Sequence, residues 1–185
     1  MNSATNAPQV RLNRVSPSYC RVVLDNPPLN LVGPEFVPQM REIVTTLEND
    51  DRVKVVVFES AVDGFFLNHS DFLANFEDLT SLPQGPTGLE AWPDVLVRLT
   101  RAPFVSIALI RGRATGNGSE LALACDMSFA SRERALLSQW EVGRASSLEE
   151  GLWRDCRESW DGDVPSKCSW AQTTSEVSML SSSAT

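Results

Sequence analysis

Val10 to Val15 alternates apolar and polar positions, and so does Tyr19 to Leu24. A period of two marks a strand with one face on a core. The two segments therefore predict a hairpin with Ser16-Pro17-Ser18 as its turn. Asn26-Pro27-Pro28 ends the second strand, because proline removes a donor and fixes φ. Phe36, Val37, Met40, Ile43, Val44 and Leu47 recur at helical spacing and predict an amphipathic helix over about 34–49, with Pro34 in its first turn. Val53 to Phe58 is a nearly continuous β-branched run, and Phe104 to Ile110 is similar. Both predict strands buried on two faces. Ala61 to Ser70 reads as loop, and Leu73 to Leu99 as loop and helix broken by Pro83, Gly85, Pro86 and Pro93. Ser119 to Cys125 predicts a buried helix and Met127 to Ala130 a short strand. Strands and helices in this order imply an α/β domain with largely parallel pairing. The pattern bounds that domain at residues 10–143, after a flexible segment at 1–9. Residues 144–185 are rich in Ser, Thr, Trp and charge, keep neither period, and predict a disordered tail.

Composition narrows the function classes. A net charge of -8 argues against a general nucleic-acid binder, which needs clustered Lys and Arg. Cys20, Cys125, Cys156 and Cys168 form no CxxC pair, as expected of reduced thiols in a cytoplasmic protein. Met1 to Gln9 is polar and reads as no signal peptide. No apolar run approaches the ~20 residues that span a bilayer, so no membrane partner is expected. His69 is the single histidine, which argues against a multi-histidine metal site and leaves a Ser-His-Asp triad only if His69 is its base. No metal or redox cofactor is expected.

The candidate chemistry lies between residues 112 and 141. Gly112-Arg113-Ala114-Thr115-Gly116-Asn117-Gly118 runs directly into Ser119-Glu120 and an apolar stretch that ends at Asp126; a second carboxylate follows at Glu141. Glycines let a ligand approach backbone N–H groups closely. At a helix N-terminus those groups are unpaired and favour negative charge. A carboxylate one turn further on can move protons beside such a site. Together these are the parts of an oxyanion hole with an acid/base pair.

Three stretches, in order and suitably spaced, resemble the enoyl-CoA hydratase/isomerase (crotonase) family. Asp25-Asn26-Pro27-Pro28-Leu29-Asn30 is similar to its early proline-asparagine loop. Asp63 to Phe72 stands where members have a loop ending in A-G-A-D-L. Ile110 through Asp126, with Ser138-Gln139-Trp140-Glu141, is similar to I-x-G-x-x-x-G-G-G-x-E-L-A-L-A-C-D followed by G-Q-P-E. The resemblance implies a crotonase-like ββα spiral, here incomplete, that binds an acyl-CoA thioester; coenzyme A enters only as part of the substrate. It implies oxyanion-hole donors at the N–H groups of Ser70 and Asn117, and catalytic roles for Glu120 and Glu141, matching the two glutamates that add water. Asn68, His69, Asp71, Gly116 and Gly118 become substrate-binding positions. The family assembles as homotrimers or hexamers.

Departures bear on this picture. Asn117 replaces a glycine, tolerable if the position needs φ > 0. His69 replaces the glycine beside the first donor, and either meets a CoA phosphate or adenine or caps its loop. Arg111 and Arg113 either meet CoA phosphates or end a solvated strand. Trp140 replaces the proline before Glu141. Back-translation of the residues from Arg144 on, in the frame beginning at the third base of each codon, gives an apolar sequence with a Gly-Gly-Gly turn similar to the family's continuation. The tail is therefore expected to be frameshifted and the activity impaired by truncation. The alternatives are a non-catalytic acyl-CoA-binding or oligomer-interaction protein, and a non-functional product of a damaged gene.

Overall fold

The computed structural model describes residues 8–74 and 76–139. Expectations for Trp140, Glu141 and the 144–185 tail lie outside these residues. Strands β1 (Val10–Arg14) and β2 (Tyr19–Leu24) form the expected hairpin, with Val10 opposite Leu24. Helix α1 (Phe36–Glu48) follows and buries Phe36, Val37, Met40, Val44 and Leu47. Strand β3 (Val55–Ser60) then pairs in parallel with β2. Next come β4 (Phe65–Leu67), α2 (Phe76–Thr80), α3 (Ala91–Thr100), β5 (Val105–Ile110) and β6 (Arg113–Thr115). Helix α4 (Asn117–Ala124), β7 (Met127–Ala130) and β8 (Leu136–Ser138) complete the described chain. The larger sheet runs β1-β2-β3-β5-β7 and is parallel after the hairpin; β4-β6-β8 form a second, parallel sheet of three.

One face of the larger sheet carries the core. Cys20 and Val22 align by register with Val56 and Phe58, and these with Ser106 and Ala108; Leu24 and Ile110 follow on the same face of their strands. All are buried, and the apolar ones join side chains of α1, α3 and α4 in one cluster. The opposite face corrects the expectation of strands buried on both sides. Val55 and Val57 are half-buried, Val105 is 43% exposed, and Met127 and Phe129 are 47% and 52% exposed. Among the described residues, the helices that join the core pack on the Val56–Ala108 side. Three-residue strands escaped the sequence pattern altogether. β4 lies inside the segment read as loop, and β6 and β8 are too short to show a period.

Asn30 stitches this frame together at the edge of the candidate site. It is fully buried with φ +54°, a conformation asparagine tolerates better than most side chains. Its amide donates to Ser60 Oγ (2.8 Å) and to the Phe66 carbonyl (2.8 Å), and its Oδ1 accepts from Asn26 N–H (2.7 Å). Its carbonyl accepts from Asn68 N–H at 2.9 Å. Asn30→Gly keeps the backbone conformation and removes the amide, taking the side-chain partner from the Phe66 carbonyl and the Asn26 N–H, while Ser60 Oγ keeps its bonds to Val62. A loss of about 3 kcal/mol is expected, read as a shifted urea midpoint at constant slope. Elsewhere, Arg134, ahead of β8, pairs with Asp63, ahead of β4, and its hydrogen bond holds that carboxyl below the usual range. Both groups are exposed, so the pair adds little stability.

Candidate functional site

The site forms where the ends of β4 and β6 meet the start of α4. Gly116 caps α4 with φ +53° and ψ -120°. A Cβ there would approach His69 Cβ to 3.0 Å, in a conformation L side chains rarely adopt. Two residues on, a Cβ at Gly118 would stand 1.8 Å from the Leu67 carbonyl oxygen, so only glycine lets α4 pack on the end of β4. The helix start is fastened by Ser119, whose buried hydroxyl reaches the carbonyls of Ala114 (2.6 Å) and Ser138 (2.9 Å). Gly116 N–H donates to the Ser138 carbonyl at 3.1 Å.

This packing brings the two expected donor positions together. Ser70 Oγ donates to Asn117 Oδ1 at 3.0 Å across 47 residues of sequence. Neither the Ser70 N–H nor the Asn117 N–H has a hydrogen-bond partner among the described residues. Asn117 does not need φ > 0: the left-handed residue is Gly116, and Asn117 is the first helical residue. The asparagine side chain therefore costs no backbone strain, and its consequence is the bridge to Ser70.

Glu120 lies one turn into α4 and is half-buried. Trp92 Nε1 donates to its Oε2 at 2.8 Å, and Gln139 Nε2 to its Oε1 at 3.3 Å. An open cavity of about 740 Å³ lies on the β4-β6-β8 side. Asn68 and His69 line it together with Arg113, Thr115 and Ser138, and Phe65 and Phe72 add aromatic surface. His69 stacks on Phe72 with ring centroids 5.0 Å apart. Its Nδ1 lies 2.8 Å from the Ser70 carbonyl. A carbonyl only accepts, so Nδ1 carries the proton. The Asn68 Oδ1 accepts from Thr115 Oγ1. Asp71 is placed differently: its Oδ1 accepts from Leu73 N–H at 2.9 Å, capping the next turn, and it is not among the cavity-lining residues. Sequence reading missed Trp92, Phe65, Phe72, Thr115 and Ser138 as site residues. Only the tertiary fold shows them facing the site, and a lone tryptophan in a helical stretch gives no local signal. No His/Cys/Asp/Glu cluster suited to a metal occurs among the described residues, and no described helix is long and apolar enough to cross a membrane.

The two-sheet topology, the glycine-capped helix and the paired donor positions define a class that known proteins identify. The enoyl-CoA hydratase/isomerase family model matches residues 14–143, and the chain belongs to that family. It is 29% identical over 133 residues to mouse enoyl-CoA hydratase domain-containing protein 2, mitochondrial, covering 70% of this chain and 44% of that protein. It is 31% identical over 140 residues to mouse ethylmalonyl-CoA decarboxylase, covering 70% and 42%. A crystal structure from Streptomyces avermitilis, assigned as an enoyl-CoA hydratase, superposes with a TM-score of 0.67 at 34% identity, over 72% of this chain and 50% of that one. The chain thus spans about half the length of the relatives it matches.

Proposed function

We propose that the chain carries the enolate-stabilising half-site of an enzyme acting on acyl-CoA thioesters, with hydration of an enoyl-CoA as its reaction. The observation that carries this is the juxtaposition of the Ser70 and Asn117 backbone positions beside Glu120. In hydration, water oxygen bonds to Cβ and the alkene π pair moves toward the thioester, placing negative charge on its oxygen. A proton then returns to Cα. Two backbone donors aimed at that oxygen contribute several kcal/mol because the charge develops only in the transition state. One carboxylate takes the proton of the attacking water and another group returns one to Cα; Glu120 and Glu141 are assigned to this pair. The aromatic wall and the Arg113 guanidinium suit an adenine and a phosphate of coenzyme A.

Decarboxylation is the second reading, supported by the similarity to ethylmalonyl-CoA decarboxylase. It passes through the same enolate but needs no base to activate water. The direct test offers the purified chain crotonyl-CoA and ethylmalonyl-CoA, following the enoyl absorbance and CO₂ release. Loss of enoyl absorbance supports hydration, and CO₂ release supports the second reading. Tight acyl-CoA binding without either product assigns the chain as a binder. No binding and no turnover would sink the proposal.

A further inference from the structure

We propose that Trp92 is a positioning residue for Glu120, its indole N–H fixing the orientation in which that carboxylate meets substrate and water. This rests on Glu120 being a proton-transferring group, as proposed above. Trp92 belongs to α3 and reaches Glu120 on α4 across 28 residues of sequence, with Nε1 2.8 Å from Oε2. Its ring is itself held: it is half-buried and lies against Phe36 of α1, centroids 6.3 Å apart at 55°. Neighbouring Ala91, Pro93 and Asp94 are buried, so the helix beneath it has little freedom to shift. The direction of the N–H is therefore set by the core packing of α1 against α3.

The chemistry of the donor matters as much as its place. An indole N–H donates and cannot accept, so it favours the ionised carboxylate over the neutral acid. A hydroxyl or amide at this point could serve either form by rotating. Gln139 approaches the other carboxylate oxygen from the segment after β8. Donors from two separate elements thus grip one planar group and restrict its rotation. An aspartate or glutamate free to turn would spend much of its time misdirected, and misplacement by about 1 Å can cost a hundredfold in rate.

Trp92→Phe in the full chain is the test, since it keeps an aromatic ring beside Phe36 and removes the donor along with part of the indole's volume. With enoyl-CoA as substrate, kcat should fall about 10- to 100-fold while KM stays within about twofold. An unchanged kcat, or a fall in kcat matched by a comparable rise in KM, overturns the proposal. A second measurement does not depend on turnover. The Trp92 indole N–H resonance of the free protein, assigned through Trp92→Phe, should shift clearly on Glu120→Ala, which removes the acceptor. No shift overturns the proposal even in a chain that turns nothing over. Absent turnover with a shifted resonance would instead uphold the contact and refute the functional reading on which its role rests.

Discussion

Gly118→Ala is expected to destabilise the chain by about 3 kcal/mol and to lower any enolate-forming activity about a hundredfold. The added Cβ would lie 1.8 Å from the Leu67 carbonyl oxygen and 2.6 Å from its carbon. Both are backbone atoms at the end of a three-residue strand, and they cannot rotate aside as a side chain would. Helix α4 must retreat instead. Its N-terminus carries Asn117, whose Oδ1 accepts from Ser70 at 3.0 Å, and its buried Ser119, tied to Ala114 and Ser138. Retreat by about 1 Å separates the two backbone donors proposed to meet one oxygen, a displacement that costs about a hundredfold in rate. The measurement is a urea transition alongside turnover. A variant with an unchanged midpoint would show that α4 does not pack on β4 as described. Gly33→Ala serves as the control, because its nearest contact for a Cβ is the flexible Glu35 side chain at 3.7 Å.

How much of this was legible beforehand depended on whether the signal was local. The hairpin, α1 and the parallel strands declared themselves through period and β-branching, since each is long enough to repeat its pattern. β7 at Met127–Ala130 was anticipated with its observed bounds. The small sheet was not, because strands of three residues complete barely one alternation. Glycine spacing marked a sharp turn ahead of α4, where Gly116 adopts φ +53° and Gly118 packs on the Leu67 carbonyl, but it could not say which residue of the turn carries the left-handed conformation. Motif reading singled out Ser70, Asn117 and Glu120, and the fold brings the first two into contact although they lie 47 residues apart. It had no means of finding Trp92. A tryptophan at helical spacing looks like core until the fold shows which polar atom its N–H meets. The burial of β3 and β5 was overstated for a related reason: apolar composition reports that a strand has apolar sides, not that both sides are covered.

Glu120→Gln should lower the rate of enoyl-CoA hydration by about 10²- to 10⁴-fold with little change in acyl-CoA affinity. The replacement is nearly isosteric, and its amide oxygen can still accept from the Trp92 indole, so packing around α3 and α4 is retained. What disappears is the ability to take and release a proton. A loss confined to kcat therefore reads as a proton-transfer role, whereas an equal rise in KM would place Glu120 in ground-state binding. The same variant separates the two proposed reactions. Carbon–carbon cleavage of a malonyl-type thioester draws its electron pair from the departing carboxylate, and under the proposed reading the Ser70 and Asn117 donors would stabilise the enolate without a base. Decarboxylation should then survive Glu120→Gln within about tenfold, leaving only the return of a proton to Cα to be met by water. Hydration needs a base at the water as well as the donors at the oxygen. Parallel assays of crotonyl-CoA and ethylmalonyl-CoA on the wild-type chain and the variant decide the matter. Equal loss in both would mean that Glu120 acts by shaping the enolate site itself, through its contacts with Trp92 and Gln139, and not by carrying a proton.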